Sequence, residues 1–128
     1  MFDKIRAALN SDKTIDIVTT GARTGVPRTT EIWFTRVGRR IIICGTSGFR
    51  RDWLANLKAN PEFVFVLKES LSARLQARAV PIVDPEDRRK LMTSPETSWY
   101  REQGISVEDL VQGCPIVEVF FKEFTYAE

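Results

Sequence analysis

A small antiparallel β-barrel with helices at its flanks is the fold class this sequence predicts, on three observations. The chain has 128 residues, enough for one ordinary hydrophobic core and too few for two. Six stretches alternate in polarity or run apolar at strand length. The breaks between them are mostly of hairpin range, with two or three helical stretches inserted and no repeat, linker or low-complexity run. The class is therefore mainly β with flanking helices, in a single domain over residues 1–128.

Each element has a local reason. Phe2, Ile5 and Leu9 fall at helical spacing, which predicts a short amphipathic helix over residues 2–10. Residues 15–20 (IDIVTT) alternate as a strand, and residues 21–25 read as a turn because glycine enters the left-handed region without steric cost. Residues 28–37 form the second strand, with Thr30, Ile32 and Phe34 on one face and Glu31, Trp33 and Thr35 on the other. After Gly38, residues 39–44 (RRIIIC) return as a hairpin partner. Trp53 and Leu57 lie four residues apart with Pro61 as a stop, so a helix of about ten residues is expected. Residues 63–67 are strand, and residues 73–83 alternate Leu75, Ala77, Ala79 against Arg74, Gln76, Arg78. Asp84 and Pro85 open a helix through about Met92, as an N-cap and a first-turn proline do. Residues 93–112 are helical in pieces, residues 107–111 among them, and residues 115–126 form a long final strand.

Composition narrows the function. No window reaches the ~18 consecutive apolar residues of a transmembrane helix, and the first ten residues lack a signal-peptide core. The expected address is cytoplasmic. Cys44 and Cys114 show no metal-ligand spacing and read as buried free thiols, so no metal site is expected. Histidine is absent, which excludes Ser-His-Asp and Cys-His nucleophiles and histidine-ligated zinc or haem. The net charge is +2, divided as +6 over residues 1–61 and −4 over residues 62–128. Such asymmetry favours an anionic partner. A nucleic acid is the lesser reading, because it needs a longer basic track interleaved with aromatics, and the acidic second half opposes one.

Two basic turns carry the remaining signal. GARTGVPR, residues 21–28, matches neither GxxxxGK[ST] nor GxGxxG. Its glycines should leave backbone N–H groups aimed outward, and Arg23 and Arg28 could grip a phosphate or carboxylate. A solvated loop with surface arginines is the competing reading. The second turn, TSGFRRDW, follows the third strand, and antiparallel pairing is expected to bring Arg50 and Arg51 toward Arg23 and Arg28.

Taken together, TTGARTGVPRTTEIWF, GTSGFRRDWLANLKANP and CPIVEV resemble the deazaflavin-dependent nitroreductase and quinone reductase family of the flavin-binding split barrels. The resemblance runs from about Ile15 to Val119. It implies a six-stranded antiparallel split β-barrel of the FMN-binding, pyridoxamine phosphate oxidase-like type. It also implies an oxidoreductase that passes hydride from the reduced deazaflavin F-420 to a small quinone- or nitro-type acceptor, with a homodimer left open. By the family pattern, Arg23, Thr24, Gly25 and Arg28 would hold the cofactor's phosphate and acidic tail, with Trp33 beside the ring. Thr46, Ser47, Gly48, Arg50, Arg51, Trp53 and Asn56 would complete the cradle. Trp99 and Tyr100 would meet the substrate, the Tyr100 phenol as the catalytic hydrogen-bond donor, or both rings would simply plug the barrel mouth. Ala22 and Ser47 stand where relatives often carry basic residues, with Arg50 and Arg51 as the compensating charges. FMN is the alternative cofactor, and a non-catalytic flavin- or tetrapyrrole-binding protein is the alternative function.

Overall fold

The structure, a computed structural model, describes residues 2–45, 52–102 and 104–123, with the side chains of Trp99 and Tyr100 outside the described set. Helix α1 (Asp3–Ser11) leads into β1 (Thr14–Thr20), β2 (Pro27–Val37) and β3 (Arg40–Cys44). Helix α2 (Asp52–Ala59) precedes β4 (Glu62–Leu67) and β5 (Ala73–Pro81). Helix α3 (Pro85–Met92), a 3-10 turn (Pro95–Thr97), α4 (Ser98–Arg101) and α5 (Val107–Gly113) then lead to β6 (Ile116–Phe121).

The six strands close a barrel in the order β1-β2-β3-β6-β5-β4, every pairing antiparallel. Strand β1 bonds to β2 through Ile17 against Thr30 and to β4 through Ile17 against Phe65. Closure leaves no unpaired sheet edge. Period-two alternation sends Ile15, Ile17, Phe34, Ile41, Ile43, Phe65 and Leu75 into the barrel, where they are fully or almost fully buried. Phe65 sits between Phe34 and Phe121, with ring centroids 5.3 and 5.2 Å away and both contacts edge-on.

A second core lies outside the barrel wall. The outward residues of β3, Ile42 and Cys44, pack with Leu91, Met92, Leu110, Val111 and Cys114 of the helical segment. Both cysteines are free and buried, as expected. Asp84 caps α3 by accepting the Asp87 N–H at 3.1 Å, and Pro85 occupies its first turn. Ser106 caps α5 by accepting from the Asp109 N–H.

Two expectations are corrected. The final strand ends at Phe121 instead of Tyr126: β6 bends at residues 122–123, and residues 124–128 lie outside the described set. Past Val119, paired with Ile41, the neighbouring strand β3 has only Arg40 left, so β6 loses one of its two ladders. Strand β5 stops at Pro81, and Val83, at 81% exposure, joins the loop to α3. The connections are as expected, with β1–β2, β2–β3 and β4–β5 of hairpin range and helices in the other two. Strand β3 is followed by α2 and a crossing to β4, while β6 returns beside β5 only after the helices between residues 82 and 115.

Candidate functional site

The turn between β1 and β2 is built around a buried amide. Gly21 donates its N–H to the Val26 carbonyl at 2.9 Å, and Gly25 donates to the Gly21 carbonyl at 3.0 Å. The Val26 N–H is taken by the Thr24 hydroxyl at 3.2 Å. Gly25 has φ +69°, a left-handed value that disfavours any side chain. At Gly21 a Cβ would lie 2.6 Å from Thr24 Oγ1 and 3.2 Å from the Val26 carbonyl, so a side chain there would displace the Thr24 hydroxyl and press on the turn.

Asn56 fixes this loop to α2. Its Oδ1 accepts the Ala22 N–H at 2.9 Å, and its Nδ2 donates to Thr19 Oγ1 at 3.1 Å. Asn56 is 7% exposed and Thr19 1%, so the bond between them lies away from water, where an unmade partner is costly, while the bond to Ala22 is part-buried. The glycine amides themselves are not aimed outward: the N–H groups of Gly21, Ala22, Gly25 and Val26 are all donated within the protein.

Side chains line a cleft of about 420 Å³ between the loop, the start of β2 and the first turns of α2. Arg23, Thr24 and Arg28 stand on one side, and Asp52, Trp53 and Asn56 on the other, with Thr29 and Thr30 along β2. Two arginines and Thr24 line a volume within the range of ligand sites, a donor set that suits a phosphate or carboxylate, while Thr29 and Thr30, consecutive in β2, turn their side chains to opposite faces of the strand. Asp52 is the single carboxylate of the lining among the described residues, in the first turn of its helix where the helix dipole favours it. Trp53 is 8% exposed and belongs mainly to the barrel core, so it forms wall more than contact surface.

Of the residues assigned from sequence, Arg23, Thr24, Arg28, Trp53 and Asn56 meet at this one cleft, with Gly25 in the loop beside it. Trp33 does not line it. That side chain points outward from β2 at 48% exposure, on the same face as Thr29 and Thr35. Thr46, Ser47, Gly48, Arg50 and Arg51 lie outside the described residues. The backbone of Trp99 and Tyr100 forms α4, which packs on the 3-10 turn. That turn is held to the far end of β2, since the Thr35 hydroxyl donates to the Glu96 carbonyl and the Gly38 N–H donates to the Glu96 carboxylate. The Gly38 bond holds Glu96 below its ordinary carboxylate range.

A residue that the sequence did not single out completes the loop. Thr19 receives the second bond of Asn56; its sequence signals were its place at the head of the run TTGARTG and a polar residue at an inward position of a strand.

The family model for F420H(2)-dependent quinone reductases matches residues 4–110. Among solved structures the chain is similar to a conserved hypothetical protein of Mycobacterium tuberculosis, at 19% identity and TM-score 0.70, covering 94% of this chain and 79% of that one. It is similar to a candidate pyridoxamine 5′-phosphate oxidase of Listeria innocua, at 14% identity and TM-score 0.66, covering 94% and 93%. It is also similar to a candidate 5-nitroimidazole antibiotic resistance protein of Bacteroides thetaiotaomicron, at 12% identity and TM-score 0.70, covering 94% and 79%. The barrel is thus the split barrel of the pyridoxamine phosphate oxidase-like proteins.

Proposed function

We propose that this chain, which belongs to the F420H(2)-dependent quinone reductase family, is an oxidoreductase that binds a reduced deazaflavin and passes hydride to a small quinone- or nitro-type acceptor. The observation carrying this reading is the cleft at which Arg23, Thr24 and Arg28 meet Trp53 and Asn56. Residues far apart in sequence, from the two stretches that resemble the family, converge there on a donor set for an anion.

When bound, the deazaflavin would supply the hydride. The protein's part is binding, orientation and electrostatics, which needs no imidazole. Arg23 and Arg28 would hold phosphate and carboxylate oxygens by charge-assisted hydrogen bonds, and Thr24 would offer a further hydroxyl. Arg50 and Arg51 are assigned to the same anionic tail on sequence grounds. Trp33, outward on β2 and four residues beyond Thr29, would carry the flat ring. Tyr100 is assigned to the acceptor, where its phenol would stabilise charge arriving with the hydride.

Titration of the purified protein with F-420 and with FMN, followed by absorbance, tests the reading. F-420 should bind more tightly, since its several anionic groups match the basic lining better than one phosphate. Arg23→Ala and Arg28→Ala should each weaken binding about ten- to hundredfold, the equivalent of roughly 1.5–3 kcal/mol per charge-assisted contact. Replacing Arg50 and Arg51 with glutamine should flatten the salt dependence of affinity. The reduced cofactor should be oxidised on adding a quinone or nitro compound, and Tyr100→Phe should slow that step more than it weakens cofactor binding. Preference for FMN would transfer the assignment to a flavin. Binding without turnover by any acceptor would leave a ligand-binding protein instead of an enzyme.

A further inference from the structure

A second cleft, of about 560 Å³, opens on the other flank of α2. Its walls are Leu54, Ile82, Val83, Val111 and Ile116 with prolines at the rim. Among the described residues, Lys58 and Arg88 are the only charged ones lining it. The Arg88 guanidinium donates to the carbonyls of Ile82, Val111 and Cys114, which secures the group and leaves its positive charge unneutralised. Neither Arg88 nor Lys58 pairs with a carboxylate among the described residues.

We propose that this cleft binds a small amphipathic carboxylate, its apolar body against Leu54, Ile82, Val83 and Ile116 and its anionic end toward Lys58 and Arg88. An apolar ligand without charge would leave both cations unmatched, and a cation would be repelled by them. The volume lies within the roughly 300–1,000 Å³ typical of small-molecule sites, which pair apolar walls with a few polar groups in this way.

This site is separate from the loop cleft. Leu54 and Lys58 are one helical turn apart, whereas Asn56 is two residues from each and so about 200° around the axis. The helix between the two clefts is about 10 Å across, so an occupant of the second cleft does not share the anion site of the loop, and its binding does not require that site to be filled.

The experiment is isothermal titration of the full chain, without cofactor, with decanoate, and with decanol and decyltrimethylammonium as uncharged and cationic controls. Decanoate should bind at one site and perturb the amide resonances of Val83 and Gly113 in a nitrogen–proton spectrum. Lys58→Gln should weaken binding about fivefold, the effect of losing one partly exposed ion pair. Val83→Glu should abolish it by placing a carboxylate at the mouth. Both positions are exposed, so both variants should fold, as far-UV circular dichroism will verify. Absence of decanoate binding, equal affinity for decyltrimethylammonium, or unchanged affinity in both variants would overturn the proposal.

Discussion

Asn56 shows how a single side chain can serve a site without being spent on the ligand. The sequence placed it in the cofactor cradle through the family pattern. The structure adds that its amide bridges the Ala22 N–H and the Thr19 hydroxyl, partners 34 and 37 positions away. No local periodicity reports a contact at that separation, so the residue was legible and its role was not. Asn56→Ala removes both bonds at once and leaves a loop N–H and a buried hydroxyl unmatched. A loss of about 2–3 kcal/mol of stability is expected in chemical denaturation. Cofactor affinity should fall with it, because the loop bearing Arg23 is no longer held to α2. Asn56→Asp keeps an acceptor for Ala22 and can take a hydrogen bond from Thr19, so it should recover much of the stability. Equal destabilisation by both variants would show that the Ala22 and Thr19 bonds are not what Asn56 contributes.

The flanking helices are elements whose starts could be read more easily than their docking. Asp84 and Pro85 announce α3 by chemistry confined to one turn. What seats that helix on the barrel is Arg40, which bonds both oxygens of Asp87 at 2.7 and 2.9 Å and also Glu118 of β6. Those partners lie 47 and 78 residues away, beyond any pattern of spacing. The strand ends were misread for a related reason: Phe120, Phe121 and Phe124 look alike in sequence, while only neighbouring strands decide where a ladder stops. Arg40 holds the Asp87 carboxyl below its ordinary value. A depressed carboxyl adds stability above its unfolded pKa, near 4, and loses that contribution as pH falls through its lower folded value. Asp87→Asn should therefore be less stable than the parent at pH 7, by about 1 kcal/mol given the partial exposure of the pair. The two proteins should converge in strong acid. Thermal melts at a series of pH values measure the gap, and a constant difference across the acid range would detach it from Asp87 ionisation.

At the scale of the molecule, β3 joins the two cores. Ile41 and Ile43 face into the barrel with Phe34 and Phe65, while Ile42 and Cys44 face out beneath Leu91, Met92 and Leu110. The run IIIC was legible as a buried strand, since a strand covered on both faces reads as continuous apolar sequence instead of an alternating one. That the second cover comes from helices some forty residues later was not, because nothing in a short helix names the sheet face it will meet. One five-residue strand belonging to both cores ties the helical flank to the barrel in folding. Ile43→Ala opens a cavity on the barrel side and Ile42→Ala on the helical side, each at a fully buried position. Each should cost about 2–5 kcal/mol. If the cores fold as one unit, either variant shifts the urea transition equally whether it is followed by far-UV circular dichroism or by tryptophan fluorescence in a Trp99→Phe background, which leaves Trp33 and Trp53 of the barrel side as reporters. Separation of the two curves in Ile42→Ala alone would mean that the helices detach first, with β3 a boundary between two folding units instead of their common wall.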